Sequence, residues 1–141
     1  MSPPPLPHVG AVIDYPYLWR SPTRGADASE RPCLIVLVDT SSSPTDTTVG
    51  ICPITGTEPD DSERAIGLRR VVCRPLGLSS GRRWVVTSEL ATFVWPEAGA
   101  RRSALERGHR GAMPADVTGA VKRALVRNSV DGQLVTAQQD R

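Results

Sequence analysis

A chain of 141 residues with a net charge of +2 has the length of one domain and is large enough to bury a hydrophobic core without disulfide staples. That charge excludes a protein basic throughout, of the kind that coats nucleic acid by bulk electrostatics. No run approaches the roughly 18 to 20 apolar residues of a membrane span, and the opening MSPPPLPHVG lacks the regions of a secretory leader, so the chain is expected in the cytoplasm, away from membranes.

The proline-rich stretch 1–9 reads as an N-terminal tail. Ala11 to Trp19 is rich in branched and aromatic residues and predicts a first strand, with Pro16 confining it to an edge or a bulge. The polar segment Arg20 to Glu30 leads into Cys33 to Val38, apolar throughout and too short for a helix, which predicts a second strand buried on both faces. After the turn residues Ser41 to Pro44, Thr47 to Ile54 predicts a third strand, followed by the loop Thr55 to Pro59. Ala65 to Leu68 reads as a short strand giving way to a helical turn before Pro75 and Gly77. Trp84 to Glu89 and Thr92 to Trp95 predict two more strands, the second stopped by Pro96. In Pro114 to Arg127 the period changes. Val117, Ala120, Val121, Ala124 and Leu125 share one helical face, Pro114 stands near the first turn and Asp116 near the positive end of the dipole. The expectation is a mainly β domain over 10–127, a small barrel with a C-terminal helix on its side, and a second tail over 128–141.

Cys33, Cys52 and Cys73 are odd in number and lack CxxC spacing, so they read as reduced core residues. His8 and His109, with no neighbouring cysteine or paired carboxylates, do not have the spacing of a metal site, and no metal or cofactor is expected. Charge is unevenly placed: six acids and no base lie between Pro32 and Glu63, whereas Arg64 to Arg83 holds six arginines and no acid. Lys122 is the only lysine, and arginine is the better fork for phosphate.

Three pieces stand in a telling order: Gly10-Ala-Val-Ile-Asp-Tyr-Pro-Tyr-Leu-Trp19, Arg31-Pro-Cys-Leu-Ile-Val-Leu37 and Ile51-Cys-Pro-Ile-Thr55. They resemble the MazF/PemK toxins, in which a glycine-led strand, an Arg-Pro dipeptide opening an apolar strand, and a strand ending in Pro-Ile-Thr or Pro-Ile-Ser follow one another. Trp84-Val-Val-Thr-Ser-Glu-Leu-Ala-Thr92 matches a later strand and turn. The resemblance implies an SH3-like barrel, a homodimer, and a metal-independent endoribonuclease that cuts single-stranded RNA and is silenced by an antitoxin. It carries the two catalytic positions onto Arg31 and Thr55.

Cleaving RNA without a metal requires the 2′-hydroxyl to attack the adjacent phosphorus while charge grows on the non-bridging oxygens. Arg31 offers a planar, permanently charged fork to that phosphate and Thr55 a hydroxyl donor. The proton acceptor stays open among a water, Glu89 and the solvent contact of the 2′-hydroxyl itself. Trp19 is a candidate for stacking on an unpaired base, and Arg24, Arg69, Arg70 and Glu89 are candidates for further substrate contacts. Arg31, Thr55 and part of the Arg64 to Arg83 block are expected to converge on one groove, with Asp60, Asp61 and Glu63 facing away. The competing readings are that Arg31 pairs with an acid at a strand start and that Thr55 closes a turn. The barrel would then bind a protein or RNA partner without catalysis, or resemble the gyrase-poisoning toxins.

Overall fold

A computed structural model of the chain describes residues 5–17, 19, 29–41, 46–60, 64–78 and 81–138. Among these residues eight strands form a sheet of half-barrel character: β1 (Ala11–Tyr17), β2 (Ser29–Asp39), β3 (Thr48–Thr55), β4 (Ala65–Leu68), β5 (Arg83–Val86), β6 (Glu89–Val94), β7 (His109–Ala112) and β8 (Val135–Gln138). The main path runs β4-β5-β3-β2-β1-β7, and β6 bridges β3 to β8. All pairings are antiparallel except that of β6 with β8. Three α-helices join the sheet: α1 (Arg70–Cys73), which runs into a 3-10 turn at Arg74–Leu76, α2 (Ala100–Arg107) and α3 (Ala115–Val130). No helix among the described residues is long and apolar enough to cross a membrane.

Both faces of the central strands are buried, which explains why Cys33 to Val36 is apolar without alternation. Cys33 and Ile35 face one core with Ile13, Tyr17, Phe93 and Leu105 of α2, whereas Leu34 and Val36 face the other with Ile54, Val85, and Val121 and Leu125 of α3. Tyr15 stacks on Phe93 at 4.4 Å between ring centroids, adding the offset-stacking attraction of aromatic pairs to their burial. Pro16 is tolerated because β7 flanks only Ala11 to Ile13, so β1 is an edge by the time it reaches the proline. Cys33, Cys52 and Cys73 are all buried and free of disulfides.

β5 and β6 amount to one extended segment broken at Thr87 and Ser88. Its first half pairs with the end of β3 (Ile54 with Val85, Thr55 with Trp84), and its second half with the beginning (Thr48 with Val94 through Ile51 with Ala91). A break in a buried strand strands polar backbone, and here it is met from three sides. The Thr87 amide donates to the Arg64 carbonyl at 2.7 Å, the Ser88 hydroxyl accepts from the Arg64 amide at 3.2 Å, and the buried Asn128 amide of α3 donates to the Thr87 carbonyl at 2.8 Å.

The ordered unit therefore reaches beyond the 10–127 domain expected above. α3 runs on to Val130 with Asn128 only 3% exposed, and β8 follows within the segment read as a tail. At the other end Leu6 packs against the first core. Asn128→Ala should lower stability by about 1 to 3 kcal/mol, the cost of stranding a buried carbonyl. A urea denaturation midpoint unchanged from that of the parent chain would contradict this role.

Candidate functional site

The start of β2 and the end of β3 lie side by side because the two strands are antiparallel. Their ladder pairs Leu34 with Cys52 and ends at Cys33 with Pro53, so Arg31 and Thr55 each lie two residues beyond its last pair, and Thr55 pairs with Trp84 of β5. On its other side Arg31 pairs with Tyr15 of β1. Twenty-four positions of sequence thus collapse to neighbouring strand ends at one edge of the sheet.

The Arg31 guanidinium lies over the Trp19 ring, its central carbon 4.9 Å from the ring centroid. Trp19 is only 5% exposed and meets Tyr17 edge-on at 5.3 Å, so its face is a platform for Arg31, held by the core beneath. A cation over an aromatic face at such a site is worth about 0.5 to 2 kcal/mol and restricts where the cation can point. The same charge reaches Cys33: burial pushes that thiol well above its usual range, and Arg31 pulls in the opposite direction. Thr55 is 3% exposed, and its hydroxyl oxygen accepts the Thr57 amide at 3.1 Å, closing the turn after β3.

Beside this edge lies a cleft of about 320 Å³ lined by Arg31, Arg83 and Arg110 together with Pro32, Ile54 and Gly56. Arg83 sits at the start of β5, one residue before the Trp84 that pairs with Thr55. Gly56 leaves room there for the Arg83 guanidinium, which a Cβ would displace. Arg110 is fixed at three points: its Nε donates to Asp14 at 2.7 Å, and its Nη1 donates to the carbonyls of Leu76 at 3.3 Å and Gly77 at 3.0 Å. Gly77 adopts the left-handed conformation (φ 67°) that ends the 3-10 turn, and only glycine does so without strain. Among the described residues the cleft lining carries three arginines and no carboxylate, a set of donors suited to a phosphate.

The other residues singled out from sequence scatter. Glu89 is 4% exposed and accepts the Tyr17 hydroxyl at 3.1 Å, and burial, then the Glu89 charge, pushes the Tyr17 phenol far above its usual range. Glu89 is not among the residues lining the cleft. Arg69 and Arg70 are exposed at the head of α1 and also do not line it. Arg24, Asp61 and Glu63 lie outside the described residues. From the Arg64 to Arg83 block, Arg83 is the member that joins Arg31 at the cleft. Sequence reasoning did not single out Arg83, Arg110 or Asp14. Arg83 was detectable as the last arginine of the basic block, whereas Arg110 has partners 96 and 34 positions away and leaves no local signal.

These features define a mainly β domain with an arginine-lined cleft at one sheet edge. No protein-family model matches the chain, and a search among curated proteins finds no significant relative.

Proposed function

We propose that the protein is a metal-independent endoribonuclease of the MazF/PemK kind, an SH3-like barrel that acts in the cytoplasm as a homodimer on single-stranded RNA and is silenced by an antitoxin. The observation that supports it most is that Arg31 and Thr55 lie near the ends of adjacent antiparallel strands, with Arg31 lining a cleft that adds Arg83 and Arg110. In the proposed step the ribose 2′-oxygen bonds to the adjacent phosphorus as the bond to the 5′-oxygen breaks. The 2′ proton passes to water and the 5′-oxygen takes a proton from water. Arg31 faces the charge that grows on the non-bridging oxygens, already oriented by Trp19, and Arg83 and Arg110 receive the flanking phosphates. The test is incubation of the folded chain with single-stranded RNA in EDTA, with a 2′,3′-cyclic phosphate as the expected product. Intact RNA overturns the reading, and a monomer by light scattering at micromolar concentration overturns its dimeric part.

A second reading, a barrel of this kind that binds RNA without cutting it, is favoured by the burial of Thr55 and the engagement of its hydroxyl with Thr57. Both readings expect the Arg31→Ala chain, which keeps Arg83 and Arg110 at the cleft, to bind RNA with log affinity falling against log salt at a slope of about −1.4. Arg83→Ala should make that slope shallower by about 0.7, one phosphate contact on a single strand. A slope near zero, or one that Arg83→Ala leaves unmoved, places the RNA elsewhere on the surface.

A further inference from the structure

β7 carries Arg110 into the first cleft and ends in Ala112 at a second cavity of about 440 Å³, a volume suited to a small organic ligand. Part of the lining of this cavity is polar. It lies at the N-terminus of α3, a sixteen-residue helix that starts after Pro114 with no side-chain cap. The first intrahelical bond of that turn runs from the Thr118 amide to the Pro114 carbonyl at 3.0 Å, so the amides of Ala115, Asp116 and Val117 precede the ladder and present the positive end of the dipole. Thr118 lines the cavity and is only 6% exposed, and its hydroxyl oxygen is buried without a hydrogen-bond partner. Lys122 lines it one turn further along the same face. His8 adds an imidazole that meets His109 edge-on at 6.0 Å.

Among the described residues no carboxylate lines the cavity, and Asp116, the acid of the first turn, is exposed and is not part of the lining. The lining also holds the apolar side chains of Val9, Ala112 and Met113. Gly10 has φ 99°, and a Cβ there would stand in ordinary contact, 3.8 Å, with the Thr118 hydroxyl oxygen.

We propose that this cavity binds a small organic anion, a monocarboxylate whose head group sits among the Thr118 hydroxyl, the Lys122 ammonium and the first amides of α3, and whose short alkyl body lies against Val9, Ala112 and Met113. Phosphate shares the head-group chemistry but has nothing to cover the apolar wall. The site is independent of the RNA reading, and its test uses neither RNA nor cleavage.

The experiment is an amide-shift titration of the full chain by nuclear magnetic resonance with hexanoate, inorganic phosphate and 1-hexanol. Hexanoate should shift the amides of Val9, Thr118 and Gly119 saturably, with a dissociation constant of about 1 mM. Phosphate should shift the same amides at least about fivefold more weakly and hexanol should not saturate, because neither offers both an anionic head and an alkyl body. Lys122→Gln, at an exposed position, should weaken hexanoate by about fivefold or more without disturbing the fold, as should the near-isosteric Thr118→Val. The proposal fails if hexanoate produces no saturable shift up to about 20 mM, if hexanol matches it, if phosphate binds more tightly, or if Lys122→Gln leaves hexanoate affinity unchanged.

Discussion

Arg31→Ala is expected to lower the single-turnover rate of RNA cleavage in EDTA by about 10² to 10³, the usual loss when one preorganised donor to a developing oxyanion is removed. The size of the effect rests on orientation as much as on charge. Trp19 holds the guanidinium from beneath at 4.9 Å, so the fork does not have to be ordered when the phosphate arrives. Arg31→Lys should therefore recover little, since an ammonium keeps the charge but loses both the planar fork and the stacking geometry. Stability should fall far less than activity, because the position lies near the start of β2 and the cation–aromatic contact is worth about 0.5 to 2 kcal/mol. The paired measurements are the cleavage rate and the urea midpoint of both variants. Unchanged cleavage would move the site away from this edge, and an unfolded Arg31→Ala chain would make Arg31 a structural residue.

The strands that sequence made legible are those whose composition is itself the signal. Cys33 to Val36 is apolar because both its faces meet a core, and the short strand and helical turn at Ala65–Leu68 and Arg70–Cys73 follow from their flanking proline and glycine. α2 left no trace: within Ala100–Arg107 only Leu105 is buried, too little to make a helical period. β7 has the composition His-Arg-Gly-Ala, which predicts no strand, and is held in place by its pairing with β1. The end of α3 was missed for a related reason. Its last inward residue is Asn128, polar by composition but placed by the broken segment at Thr87 that its amide satisfies. The site divides the same way. Arg31 and Thr55 were readable as ends of adjacent antiparallel strands, whereas Arg110 depends on Asp14, Leu76 and Gly77, which only the folded chain brings together.

Stability should fall steeply in mild alkali, and the groups responsible are Cys33, Cys52 and Tyr17. All three are at most 1% exposed. Burial is the leading cause that raises each above its ordinary value of 9.0 for the thiols and 10.0 for the phenol. The charge of Glu89 adds to the effect on Cys52 and Tyr17, and the charge of Arg31 offsets part of it at Cys33. Because the folded pKa is the higher one, the folded chain keeps protons that the unfolded chain releases. The contribution is intact below pH 9 and is lost as pH rises past it, at about 1.4 kcal/mol per pH unit for each group. Cys52 acting from pH 9 and the phenol from pH 10 remove about 3 kcal/mol by pH 10.5, with Cys33 pulling the same way, a large share of the stability of a small domain, about 5 to 15 kcal/mol. Urea midpoints measured from pH 7 to pH 10.5 should hold up to about pH 8.5 and then drop. Cys52→Ala isolates one thiol: whatever it costs at neutral pH, its decline above pH 9 should be shallower by about 1.4 kcal/mol per pH unit. A midpoint that stays level to pH 10.5, or a Cys52→Ala chain that declines as steeply as the parent, would mean that water reaches these thiols in the folded state.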